Sequence, residues 1–260
     1  MIADTASPLP LYRFGSLAAF PELLHAVATR HGGVSRGPFA SLNMSRSVGD
    51  APENARVNRE RLCRAAGVRH EELVTCGLVH GTRALPVSLA HRGGFFPATD
   101  ALLTDVPNVP LMLCFADCVP IILYDPERRA VGLVHAGWRG TLAGMAASAV
   151  AQMAITYGSR PANLRAAIGP AIGPCCYEVG PEVVARVQAA FPDAASLLSD
   201  DHDGRAHFDL WEANRQQLLA AGVGQVEVAG LCTACHRDEF FSHRGDGGRT
   251  GRFGVVVMLR

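Results

Sequence analysis

The chain sorts into elements by where its apolar runs are broken. Every position from Val109 to Phe115 is apolar, which predicts a strand covered on both faces rather than one lying against water. Two further runs, Pro120 to Tyr124 and Ala130 to Val134, flank the segment Asp125-Pro126-Glu127-Arg128. That pattern reads as two strands joined by a turn. From Thr141 to about Tyr157 the spacing changes, and Leu142, Met145, Ala146, Val150 and Met153 fall on one helical face. Leu164 to Ile168, Val226 to Ala229 and Phe253 to Leu259 read as further strands. Two helix starts carry capping signals. One is Asp50, with Glu53 three residues later and Gly67 near the far end; the other is Asp209, with Glu212 and a closing Gly222. Strands and helices alternate with no linker, charge block or short repeat. The prediction is one domain over residues 1–260, of α/β (α+β) class with mixed sheets. No strand runs into a G-x-G-x-x-G turn, which argues against a dinucleotide-binding fold.

Composition narrows the function classes. Basic and acidic residues balance at 24 each, so no polyanion-binding surface is expected and nucleic acid is not a predicted partner. The longest apolar stretch, Val109 to Tyr124, contains Asp117 and two prolines. It does not suit a simple membrane-spanning helix, and no membrane association is expected. Met1 to Phe14 carries Asp4, Pro8 and Pro10 and has no apolar export core. With eight cysteines and no visible export signal, the expected setting is the reducing cytoplasm, with thiols free or metal-bound.

Three short segments carry the candidate chemistry. In Val134-His135-Ala136-Gly137-Trp138-Arg139-Gly140 a buried strand delivers a histidine to its C-terminal end, and two glycines let the chain turn into a helix. Ligands of α/β proteins usually sit at such strand ends. In Ala116-Asp117-Cys118-Val119-Pro120 an acid and a thiol lie between two apolar strands. A carboxylate buried there needs partners, so Asp117 either orients a metal-bound histidine or caps a tight turn. Val79-His80-Gly81 supplies a second histidine. Together His80, Cys118 and His135 make a three-ligand set for zinc with the fourth tetrahedral position open, which is the signature of a catalytic site.

Beyond these, Thr29-Arg30-His31-Gly32-Gly33-Val34-Ser35, Ser41-Leu42-Asn43-Met44, Val48-Gly49-Asp50, Ile168-Gly169-Pro170, Cys175-Cys176-Tyr177-Glu178-Val179, Phe208-Asp209-Leu210, Cys232-Thr233, Phe241-Ser242 and Thr250-Gly251-Arg252 follow in order. With the three segments above, they resemble the laccase-domain or polyphenol oxidase family, since reassigned as purine nucleoside phosphorylases. The resemblance runs from about Thr29 to the C-terminus. It implies an α-β-β-α sandwich and a zinc site at His80, Cys118 and His135. It also implies phosphorolysis of adenosine, inosine, guanosine and methylthioadenosine, with hydrolytic deamination of adenosine as a second activity. Purine nucleosides and phosphate are then the partners, and nothing in the sequence names a protein partner. Two positions depart from the family pattern: Leu78 stands where a glutamine is usual, and Gly245 where an arginine is usual.

Phosphorolysis requires an anion held in line with the ribose C1′. Arg30 with the His31-Gly32-Gly33 turn, Arg139 and Arg244 are the candidate phosphate ligands. Asn43 is a candidate for the base or ribose. Deamination requires an activated water and a carboxylate to carry protons, and Asp117 then Glu178 are the candidate acids. Other readings use the same residues differently. A blue-copper site would add Met112 to the His2Cys set. A metal-free hydrolase would take Cys118 as nucleophile and His135 as base. A structural zinc protein would use Cys232-Thr233-Ala234-Cys235 with Cys175-Cys176.

Overall fold

The computed structural model describes residues 1–200 and 203–260. Two sheets lie face to face. The first is antiparallel throughout, in the order Ile2–Ala3, Leu11–Arg13, Leu23–Ala28, Phe253–Leu259, Leu111–Phe115. The second is mixed, in the order Gln225–Val228, Arg165–Ile168, Val119–Asp125, Ala130–Ala136, Ala101–Thr104, Ala84–Pro86, with a parallel pair at each edge.

Alternation along the strands builds three apolar layers. Ile122 and Tyr124 face the first sheet and meet Leu111, Leu113, Phe115, Val255 and Val257. Ile121 and Leu123 face the other way, toward the helices Met145–Tyr157, Pro181–Ala190 and Leu210–Ala220. On the far side of the first sheet, Leu24, Ala26, Met112 and Val256 pack against Leu62 and Cys63 of the helix Pro52–Ala66. The architecture is therefore the α-β-β-α sandwich. Both sheets are covered on both faces, which is why Val119–Asp125 and Ala130–Ala136 are buried along their whole length.

Two predicted helix boundaries differ. The helix expected from Thr141 begins earlier, at Trp138, and divides into Trp138–Leu142 and Met145–Tyr157. Gly144 between them has φ 83°, a conformation open to glycine and closed to most other residues. Asp50 does not cap its helix directly, since the cap position is Ala51 with Pro52 as the first helical residue. The Asp50 carboxylate instead accepts hydrogen bonds from Ser35, Asn43, Ala51 and Asn54, and Glu53 pairs with Arg56. Asp209 does cap Leu210–Ala220, accepting from the Glu212 N–H at 2.9 Å.

The second sheet brings the chemistry to one end. His135 pairs with Pro120, Val134 with Ala101, Ala84 with Ala101 and Ile168 with Ile121. The segments around His80, Asp100, Cys118, His135 and Gly169 thus leave or enter the sheet at the same end of its strands.

Candidate metal centre

His135 lies on the same face of its strand as Leu133 and turns into the space between the sheets, where its ring meets Phe115 at 5.7 Å. His80 comes from the loop before Ala84–Pro86, and Cys118 stands immediately before Val119–Asp125. One ligand atom from each of His80, Cys118 and His135 lies within 4.8 Å of the others. The two imidazoles meet edge to face at 4.9 Å.

Asp100 organises this trio. It is fully buried and precedes Ala101–Thr104. Its Oδ1 lies 3.0 Å from His135 Nδ1 and accepts the His80 N–H at 2.9 Å. Its Oδ2 accepts the Gly81 N–H at 2.8 Å and the Val79 N–H at 3.3 Å. Burial alone would raise this carboxyl, but the histidine and the backbone donors outweigh it and hold Asp100 below the ordinary carboxylate range. With Nδ1 turned to Asp100, His135 presents Nε2 to the centre. The His80 Nδ1 is buried with no hydrogen-bond partner in the protein. His80 adopts φ 59°, an uncommon region for a side-chain-bearing residue, and its N–H bond to Asp100 holds it there.

The interior charges support one another. Burial would raise the Cys118 thiol, yet His135 and His80 bring it down to about 6. Burial would lower His135, yet the Cys118 sulfur and Asp100 bring it up to about 9. Gly137 keeps the space between the ligands open. A Cβ there would stand 2.4 Å from His80 Nδ1 and 3.0 Å from Cys118 Sγ.

The other predicted residues scatter into different roles. Asp117 does not reach a histidine. Its Oδ1 accepts from Thr233 and Ser242, both at 2.7 Å, and its Oδ2 from the Arg244 N–H at 2.6 Å. Both oxygens are engaged, so the carboxylate fastens the 233–244 loop beside Cys118, and the orienting role expected of it belongs to Asp100. Asn43 is wholly buried. Its amide donates to Ser45 and Asp50 and accepts from the Ser45 and Arg252 N–H groups, which leaves nothing for a base or ribose. Arg30 donates to the carbonyls of Ala40 and Arg237 and stacks on Phe241. The adjoining N–H groups of His31, Gly33 and Val34 are already taken by Thr29, Ser41 and Asn58. Met112 belongs to the layer on the far side of its sheet, opposite the Phe115 face that touches His135; the axial copper ligand expected of it is not supplied.

Arg139 is exposed and stacks on Trp138 at 4.3 Å, while Arg244 stacks on Tyr177 at 5.3 Å. Tyr177, under Arg244, also feels the charges of Cys118, Asp117 and Arg139. Burial raises its hydroxyl well above the usual range, as do the charges of Cys118 and Asp117, while Arg244 and Arg139 oppose them. Arg252 is a further cation whose charge is felt at Cys118. Glu178 is exposed, pairs with Arg205 at 3.0 Å and, with Arg237 and Arg244, lines a cleft of about 540 Å³. Asp100, Tyr177 and Arg252 were not among the predicted site residues. Asp100 had a legible signal, an acid set directly before the apolar run Ala101-Leu102-Leu103.

Comparison with known proteins follows this geometry. The profile of the family described as "Multi-copper polyphenol oxidoreductase laccase" matches residues 24–260. A Geobacillus stearothermophilus protein named purine nucleoside phosphorylase YlmD is 43% identical over 93% of this chain and 92% of its own. A Deinococcus radiodurans protein named purine nucleoside phosphorylase is 40% identical, with 98% and 95% covered. The crystal structure of the Bacillus licheniformis hypothetical protein YfiH superposes with a TM-score of 0.91 at 38% identity, covering 99% of this chain and 98% of that one.

Proposed function

Because the chain belongs to the multi-copper polyphenol oxidoreductase laccase family, and its named relatives are purine nucleoside phosphorylases, we propose that it is a purine nucleoside phosphorylase with zinc held by His80, Cys118 and His135. The observation that carries this reading is the convergence of two imidazoles and a thiol around the space Gly137 leaves open. The residues fit zinc: two nitrogens and one sulfur, one nitrogen buried without a partner, and a carboxylate behind His135. Copper of the blue type fits less well, because Met112 faces away. Zinc bound there would supply a Lewis acid and an acidified water.

The chain's own groups do the rest. Arg139 and Arg244 hold phosphate, whose negative oxygens suit guanidinium donors. Arg237 supplies the cation that Gly245 does not: its side chain packs over Gly245 and donates to the Gly245 carbonyl at 2.9 Å. A phosphate oxygen bonds to the ribose C1′ as the bond to the purine breaks, and the purine leaves with the proton that hydrogen phosphate gives up. Tyr177, kept protonated by its surroundings, is the hydrogen-bond donor beside the reacting atoms. Adenosine, inosine, guanosine and methylthioadenosine are the proposed substrates. Deamination of adenosine by water is the proposed second activity, with Glu178 rather than the fully bonded Asp117 carrying the proton. The cytoplasm is the proposed setting, consistent with all eight cysteines being free and with no helix among the described residues being long and apolar enough to cross a membrane.

The test is incubation with adenosine, with and without phosphate, followed by chromatography of adenine, inosine and hypoxanthine and metal analysis of the same sample. Phosphate-dependent adenine from zinc-loaded protein is the expected result; no phosphate-dependent base release from any of the four nucleosides would overturn it. The order Asp100, His135, Cys118 also favours a second reading as a metal-free cysteine hydrolase. Activity that survives full chelation and disappears on thiol alkylation would replace the zinc reading with that one.

A further inference from the structure

Four cysteines play no part in the centre just described, yet the fold gathers them. Cys175 and Cys176 follow the strand Arg165–Ile168, and Cys232 and Cys235 follow Gln225–Val228. These two strands run parallel, with Ile168 beside Val228, so both loops emerge at the same end of the sheet. The sulfurs of all four lie within 4.8 Å of one another. Cys235 Sγ is 3.5 Å from Cys175 Sγ and 3.4 Å from Cys176 Sγ. Four thiolates placed tetrahedrally at the usual zinc–sulfur distance stand about 3.8 Å apart. From this convergence we propose that Cys175, Cys176, Cys232 and Cys235 form a second, closed zinc site, separate from the His80, Cys118 and His135 centre.

Local structure sets these four apart from spare apolar cysteines and supports a thiolate at Cys232. Buried packing is the usual fate of an unpaired cysteine, but Cys175 and Cys235 are exposed. Cys232 Sγ accepts the Gly173 N–H at 3.3 Å, and the N–H groups of Ala234 and Cys235 also point at it. Such donors stabilise a sulfur that has lost its proton. The adjacent pair is usable because the chain turns at that point. Cys176 and Tyr177 both donate their N–H groups to the Gly173 carbonyl at 3.0 Å, which lets neighbouring side chains reach one ion without a spacer. The Gly173 position is itself tight, since a Cβ there would meet the Trp211 ring at 2.5 Å. On binding, the thiols give their protons to solvent and the four sulfurs with zinc carry net negative charge. Arg237 and Arg244 line the adjoining cleft and offset that charge.

A closed tetrathiolate site has no open position for chemistry; its work is to tie two loops together. Between Cys232 and Cys235 lies Thr233, whose hydroxyl bonds Asp117, the neighbour of Cys118. Tyr177 follows Cys176 directly. The site thus holds both loops that flank the first centre.

The experiment reads metal and not activity, so it stands apart from the proposed enzymatic reaction. The full chain is purified under reductant from zinc-containing medium and its metal is counted. The expected content is about two zinc ions per chain, falling to about one in Cys232→Ser/Cys235→Ser and to about one in His80→Ala/His135→Ala. Because the cysteine variant could fail to fold, the metal-free wild type is also titrated with cobalt(II). The expected spectrum includes the intense thiolate-to-cobalt band of a tetrathiolate, and that band persists in His80→Ala/His135→Ala. A wild type holding one zinc with no tetrathiolate cobalt spectrum would overturn the proposal. So would peptide mapping that shows Cys235 in a disulfide with Cys175 or Cys176 in freshly reduced, re-equilibrated protein, or iron or copper bound at these sulfurs in place of zinc.

Discussion

A buried carboxylate with no donors around it takes up a proton; Asp100 stays charged because three backbone N–H groups and His135 converge on its two oxygens. Its charge fixes the tautomer of His135 and sets the backbone turn of His80, so one side chain positions two of the proposed ligands. Asp100→Asn keeps the volume and one acceptor but places an NH2 against backbone donors. Zinc affinity is expected to fall about 10- to 100-fold, read by competition with a chromophoric chelator. Unchanged affinity would mean that His135 is oriented by packing alone. A second buried group predicts a pH effect. His25 is 2% exposed and its Nε2 accepts the Phe14 N–H at 2.9 Å. Burial brings its pKa down from 6.5 to about 4. Above pH 6.5 the ring is neutral in both folded and unfolded chains. Between pH 6.5 and 4 only the unfolded chain takes up the proton, so stability declines across that window by about 3 kcal/mol from this residue. His25→Gln retains an acceptor for Phe14 without the titration, and urea midpoints measured from pH 7 to 4 are expected to fall less steeply than in the wild type. At this scale the sequence was legible where a residue type has few structural uses in its context, as with the meeting of His80, Cys118 and His135 in space. It was not legible where one residue type has several. Asn43, Arg30 and Asp117 carry donors and acceptors that serve a loop as readily as a ligand, and only their partners in space separate the two.

Elements were most readable where an unbroken apolar run is covered on both faces. Val119–Asp125, Ala130–Ala136 and Phe253–Leu259 are covered on both faces, so their apolar runs stood out from the chain. Leu23–Ala28 is equally buried but contains His25, and Ala101–Thr104 has only four residues; neither interrupted run announced a strand. The helix after His135 shows the limit of periodicity from the other direction. Leu142 and Met145 keep helical spacing across Gly144, although the helix breaks there, because the short turn at φ 83° returns the chain to nearly the same face. Nothing lies within 4 Å of a Cβ built at Gly144. Gly144→Ala therefore tests conformation without a clash. It is expected to cost about 1–2 kcal/mol, the left-handed penalty of a side chain, measured as a lowered urea midpoint with unchanged slope. A stabilised variant would show that the two helices readily fuse into one.

At the scale of the whole molecule the question is whether two sheets make one cooperative unit. The inter-sheet layer draws on both: Leu113 and Val255 from one, Ile122 and Leu133 from the other. The chain ends are woven into the same body. Phe253–Leu259 lies between Leu23–Ala28 and Leu111–Phe115 in the first sheet, and the terminal amine of Met1 pairs with Glu227 at 3.3 Å, next to a strand of the second. Neither sheet can leave without exposing the shared layer to water, which predicts a single transition. The chain's two tryptophans, Trp138 and Trp211, both report from the helical layer over the second sheet, whereas far-UV circular dichroism reports both sheets. Their urea midpoints are expected to coincide. Zinc held as proposed would bind the folded chain and raise its stability by mass action, so chelation is expected to move both midpoints down together and by the same amount. Separate midpoints, or a chelator that shifts only the tryptophan signal, would show that the second sheet with its helices unfolds apart from the first, and would replace the single domain over residues 1–260 with two.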